Sequence, residues 1–162
     1  MTKATPQLRQ LVDWSAAVWA GLIAGLVFLV LNVFMVPLLV GGNGWISLRY
    51  TASLVMGPGV LPPPASFDLI VLVVALLVHC ILSVLWSILL AYVIHRWGLL
   101  VGLIGGALFG LALYGINFYA LTLFYPWFFA IRSWPLIASH LIFGALAGGI
   151  YESLEVEEFV PA

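Results

Sequence analysis

Four apolar stretches, at about residues 14–40, 68–94, 98–124 and 133–151, carry no Asp, Glu, Lys or Arg in their interiors. Each has the roughly 20 apolar residues that a helix needs to cross a hydrocarbon layer about 30 Å thick. The chain is 65% hydrophobic and 7% charged, too little polar surface to cover a water-soluble domain of 162 residues. Lipid is therefore the solvent this pattern implies. The predicted fold is all-α: a polytopic membrane protein with a four-transmembrane-helix bundle, residues 1–162 forming a single transmembrane domain. What is left over is a short N-terminal tail, an inserted loop at 41–66, two tight connections and an acidic tail. The first stretch is read as a retained helix, since it far exceeds the apolar core of a signal peptide.

The borders are marked by Trp14, Trp45, Trp97, Trp127 and Trp134, rings that favour the headgroup layer. Gly98, Pro126 and Pro135 punctuate the two tight connections. Lys3, Arg9 and Arg96 fall on the side of the termini and Arg49 and Arg132 on the other, so the charge bias places both termini in the cytoplasm. A net charge of −1 supplies no basic surface and argues against a nucleic-acid partner. Cys80 is alone, which excludes an internal disulfide and a cysteine metal cluster. In the 41–66 loop, Ser47, Arg49, Thr51 and Ser53 alternate with Leu48, Tyr50, Ala52 and Leu54, formally a strand pattern. A lone strand near lipid would leave its backbone unpaired, so a short interfacial helix followed by an extended proline segment is expected instead.

The two halves of the chain share spacings. Gly21, Gly25 and Asn32 in the first stretch recur as Gly106, Gly110 and Asn117 in the third, and His79, Ser83 and Ser87 in the second recur as His140, Gly144 and Gly148 in the fourth. The interval from Asn to His is longer in the first half by about the length of the 41–66 loop, which reads as an insertion. A 2+2 tandem hairpin repeat about a two-fold along the membrane normal follows as an expectation. The small residues, with Gly102 extending the longest run, are expected to let helix backbones approach closely.

Polar groups deep in lipid are costly and are candidates for function. Asn32, His79, Asn117 and His140 all fall in one half of the membrane and form a candidate buried polar network, each interaction contributing about 0.6 kcal/mol. A sharper reading has His79 and His140 as axial ligands of a haem b, in a b-type electron carrier. A third is a polar path for a small solute or lipid, against which no charged residue lies at mid-membrane. No catalytic set is complete: Cys80 points away from His79 on a helix, and Ser83 and Ser139 have no carboxylate at depth to orient a neighbouring His. No catalytic residue and no metal site is expected, and the primary expectation is of no cofactor.

The stretches Leu54–Pro64 (LVMGPGVLPPP), Gly102–Phe128 (GLIGGALFGLALYGINFYALTLFYPWF) and Ala138–Tyr151 (ASHLIFGALAGGIY) resemble a group of short bacterial four-helix inner-membrane proteins with no assigned activity. The resemblance implies a bacterial cytoplasmic membrane and no site residues. The leading functional expectation is a non-catalytic accessory subunit, in contact with lipids and with larger subunits of a membrane complex such as a respiratory, electron-transferring one. Haem-based electron carriage and transport of a small solute or lipid are the alternatives.

Overall fold

The computed structural model describes residues 8–161. Lys3 and the side chain of Arg9, used above for orientation, lie outside what it describes. Four helices are long and apolar enough to cross a membrane: Trp14–Val40, Leu69–Ile94, Leu99–Leu123 and Trp134–Leu154. The first divides into α1 (Trp14–Val30), a π-helical turn (Leu31–Met35) and α2 (Val36–Val40). α3 (Gly44–Met56) lies in the long loop and α4 (Leu69–Ile94) is the second span. The third comprises α5 (Leu99–Gly115), a second π-helical turn (Ile116–Ala120) and a 3-10 turn (Leu121–Leu123). After a further 3-10 segment (Pro126–Ile131), α6 (Trp134–Leu154) completes the bundle.

Helix starts follow from local chemistry. Asp13 Oδ1 accepts from Ala16 N at 2.9 Å, Asp68 Oδ1 from Ile70 N and Val71 N, and Asn43 Oδ1 from Trp45 N, each satisfying amides that a helix start leaves open. The 44–56 segment is helical despite its alternating sequence, because a helix pairs its own backbone at a lipid border. Its hydroxyls are also satisfied locally: Thr51 Oγ1 donates to Ser47 O and Ser53 Oγ to Tyr50 O. The proline segment is not uniformly extended, since Pro58–Val60 forms a 3-10 turn.

The π-helical turn at 31–35 leaves one carbonyl without a backbone donor. Val36 N donates to Leu31 O, five residues back, so Asn32 O must look to residue 37. Residue 37 is proline and has no N–H. Ser47 Oγ of α3 donates to that carbonyl at 2.7 Å, satisfying the orphan and pinning α3 to the first span.

α6 is the most enclosed span, packed on α5, α1 and α4. Along α5 and α6 the backbones touch: a Cβ on Gly106 would strike Gly144 O, one on Gly110 His140 O, and one on Gly148 Gly102 O. Along α1 and α4 the same device recurs with serines, Gly21 lying against Ser83 O and Ser87, and Gly25 against Ser83 Oγ. Ser87 Oγ donates to Ala17 O at 2.8 Å across that interface. Dispersion between such close surfaces holds helices together where lipid removes the hydrophobic drive.

The matching goes beyond residue types. α1 and α5 are both 17 residues long, and each is followed by a five-residue π-helical turn with Asn as its second residue. The hairpin contacts share one register, Gly25 facing His79 and Ser83 as Gly110 faces His140 and Gly144. The likeness stops at the next interface: α1 packs along α6, whereas α5 scarcely touches α4. Ala24 and Ala147, both fully buried, lie in the core where α1 meets α6. The positions that match them in the other half hold Phe109 and Trp86, whose rings meet edge to face at 6.3 Å. Two large rings thus stand between α4 and α5 where two methyl groups stand between α1 and α6.

One feature departs from the all-helical expectation. β1 (Leu8–Gln10) and β2 (Phe159–Pro161) pair antiparallel, with Leu8 opposite Pro161 and Gln10 opposite Phe159. Leu11 N donates to Glu158 O and Val156 N to Asp13 Oδ2, so the two ends of the chain are tied together on the side of the α4–α5 turn.

Candidate functional site: a cavity between the spans

On the side of Trp86, between α4 and the third span, lies a cavity of about 860 Å³. That is within the range of small-molecule sites, about 300–1,000 Å³. Its lining comes from all four spans, from α3 and from the 126–131 segment, the third span contributing Leu113, Asn117, Phe118 and Leu121. Ile81 lines it and is 64% exposed, so the cavity reaches the lipid-facing surface of the bundle. Most of the wall is apolar, including Leu29, Val36, Leu82, Leu113, Leu121 and Phe143.

All four candidate polar residues, Asn32, His79, Asn117 and His140, line this cavity, together with Ser83. They do not form one network. His140 Nδ1 lies 2.7 Å from Leu136 O, an acceptor only, so Nδ1 carries the proton and donates. Nε2 is then the acceptor, and Asn117 Nδ2 donates to it at 3.3 Å. His79 Nε2 donates to Gly25 O at 2.8 Å, with Ser83 Oγ 3.5 Å from the same nitrogen. Asn32 Nδ2 turns back to Phe28 O of its own helix at 2.7 Å. Thus Asn117 joins α5 to α6 and His79 joins α4 to α1, while Asn32 serves its local backbone.

Haem ligation does not fit this arrangement. The His140 Nε2 lone pair that iron would need is taken by Asn117, and His79 Nε2 carries a proton committed to Gly25 O. Phe28 packs against both imidazoles, 5.9 Å from His79 and 4.8 Å from His140 between ring centres. Among the described residues, no group of three or more His, Cys, Asp or Glu is placed to hold a metal ion.

The small residues expected to pack do so, Gly21, Gly25, Ser83 and Ser87 in one hairpin and Gly102, Gly106, Gly110, Gly144 and Gly148 in the other. Sequence reasoning missed the cavity and the residues at its α3 end. Arg132 and Ser133 line it, and Tyr50 reaches it from α3, where burial pushes the phenol above its ordinary pKa and leaves it a neutral donor. One signal was present: Pro37 cannot donate, so a carbonyl before it, Val33 O in a regular α-helix and Asn32 O in the π-helical turn found here, lacks its backbone partner. Compared with known proteins, the chain matches no family model, no curated protein and no solved structure, so the site stands on its own geometry.

Proposed function

We propose that this protein binds a membrane-borne amphiphile in the cavity between α4 and α5, receiving it sideways from the lipid and carrying or presenting it without chemical change. The observation that carries this reading is the 860 Å³ space with apolar walls, a few fixed polar groups and a lining residue on the lipid-facing surface. Such a composition suits a ligand with a long apolar part and a single polar end. The accessory-subunit expectation rests on features the chain lacks, whereas the cavity is a feature it has. Lipid or solute binding therefore stands ahead of a purely structural role in a larger complex. The location proposed is the bacterial cytoplasmic membrane that the sequence resemblance implies.

The shared lengths, π-helical turns and hairpin registers support an origin of the bundle in two tandem hairpins with the 41–66 loop inserted in the first. On that reading the cavity is where the two halves diverged, Phe109 and Trp86 replacing the small pair Ala24 and Ala147.

The test is native mass spectrometry of the protein released from its own membranes in mild detergent. A tightly held lipid-sized adduct is expected on the wild type. Leu82→Trp, which fills the cavity from α4, should lose it while leaving the melting temperature within a few degrees. Adduct-free wild-type protein, or an adduct unchanged by Leu82→Trp, rejects the proposal.

A further inference from the structure

Resting on the cavity reading above, we propose that the bound amphiphile has an anionic, phosphate-like head group, held by Arg132 and Ser133 at the α3 end of the cavity. The Arg132 guanidinium carbon lies 3.2 Å from the centre of the Phe129 ring and 4.9 Å from that of Tyr119. Nε donates to Phe129 O at 2.9 Å, which fixes the plane of the group. Aromatic faces hold a guanidinium without cancelling its charge, and its remaining fork matches the oxygens of a phosphate or carboxylate.

No side-chain carboxylate among the described residues is placed to take that role. The six are Asp13, Asp68, Glu152, Glu155, Glu157 and Glu158, and only Asp68 is on the side of α3. Asp68 is committed to the first amides of α4. The other cation on that side, Arg49, does not line the cavity: its Nη atoms donate to Val60 O at 2.7 Å and Ser66 O at 3.0 Å, and its Nε is buried without a partner among the described residues. Arg132 thus presents a charge with no carboxylate beside it to a cavity whose walls are mostly apolar and carry no other charged side chain among the described residues, where a counter-charge is worth more than in water.

Beside it, Ser133 Oγ is buried and has no hydrogen-bond partner among the described residues. Ser133 occupies the N-cap of α6, yet its hydroxyl caps nothing, in contrast to Asp13, Asn43 and Asp68. A buried hydroxyl left unpaired costs free energy; enclosed as it stands, Ser133 Oγ would gain a partner by turning about χ1 into the cavity beside Arg132, where an anionic oxygen would satisfy both. The start of a 21-residue helix adds a partial positive charge at the same place. The tail then runs along Leu121 and Leu82 towards the opening at Ile81.

The experiment uses the purified full chain in detergent micelles doped with equal amounts of phosphatidylglycerol and phosphatidylcholine, each bound lipid being counted by native mass spectrometry. The wild type should favour phosphatidylglycerol by about tenfold or more, as expected for a charge-assisted head-group contact. Arg132→Gln with Ser133→Ala should bring the ratio close to parity without lowering the total lipid retained, and Arg132→Lys should keep part of the preference. Lipids retained at parity by the wild type, or a ratio unchanged in the double variant, would overturn the head-group assignment and leave the cavity reading standing. Retention of neither lipid would remove both. Complete release of phosphatidylglycerol by inorganic phosphate alone would reassign Arg132 and Ser133 to a free anion.

Discussion

Asn117 Nδ2 and His140 Nε2 stand 3.3 Å apart across the α5–α6 interface, and the direction of that bond is settled by a third group, Leu136 O, which takes the other ring proton of His140. Their counterparts in the first half, Asn32 and His79, make no such bond. The π-helical turns place the two asparagines alike, but Ser47 of α3 holds the backbone at Asn32 and the Asn32 side chain stays on Phe28 O. Positions with the same spacing in sequence have different partners in space.

The Asn117–His140 pair predicts a coupling. Asn117→Leu or His140→Leu alone leaves the partner unpaired at depth, whereas the double substitution removes both polar groups. The double variant should be more stable than the sum of the single losses by about 1 kcal/mol. Unfolding titrations in mixed micelles measure this; strictly additive losses would show that the pair carries no bond.

Ser47 and Pro37 predict a second cycle. Ser47→Ala should cost about 1–3 kcal/mol, because it strands the buried carbonyl of Asn32. In a Pro37→Ala background an N–H is restored five residues after Asn32, and the same Ser47→Ala change should cost less. Equal costs in the two backgrounds, read from thermal unfolding, would mean that the Asn32 carbonyl is satisfied some other way.

Close approach predicts a sharp contrast between two glycines of one helix. Gly106→Leu drives a side chain into the backbone oxygen of Gly144, which cannot move aside as a flexible side chain could. A loss of about 1–3 kcal/mol or more is expected. Gly115 has nothing within 4 Å of its missing Cβ, so Gly115→Ala should be neutral or stabilising by up to about 1 kcal/mol. Similar melting temperatures for the two variants would contradict the α5–α6 packing.

The tie between the chain ends predicts a pH response. Hydrogen bonds from the backbone amide of Ala16, and then those of Val156 and Ser15, hold the Asp13 carboxyl below its ordinary value of 3.8, outweighing its partial burial. A depressed carboxylate stabilises above its unfolded pKa, and that contribution disappears as pH falls through the lower, folded value. Protection of the Val156 amide from hydrogen exchange, which Asp13 Oδ2 provides, should therefore hold at neutral pH and weaken below about pH 4. Asp13→Asn should abolish this acid response; an acid response that persists in Asp13→Asn would assign it to another group.

The four spans were legible because helix length and the absence of interior charge are local properties that lipid reads directly. Small residues four apart announced close backbone contact for the same reason: a missing side chain is visible in the sequence. Those same patterns were silent on which helix meets which. Gly102, Gly106 and Gly110 would serve any partner, and only the tertiary structure seats them on Gly148, Gly144 and His140. The alternation in 44–56 pointed formally to a strand, and the demand that backbone near lipid pair with itself made it a helix instead. The strands at the two ends were not legible, since Leu8–Gln10 acquires a partner only when the bundle brings Phe159–Pro161 alongside.

Sequence alone determined the solvent of this protein, the number of its spans and the rarity of polar groups at depth, all set by transfer energies that each residue carries with it. The cavity was decided by tertiary structure. Trp86 meets Phe109 between α4 and α5, and Arg132, stacked on Phe129 and Tyr119, lines that space; neither meeting is written in the spacing of the residues along the chain. An empty volume belongs to no residue, so its shape depends on where distant side chains meet.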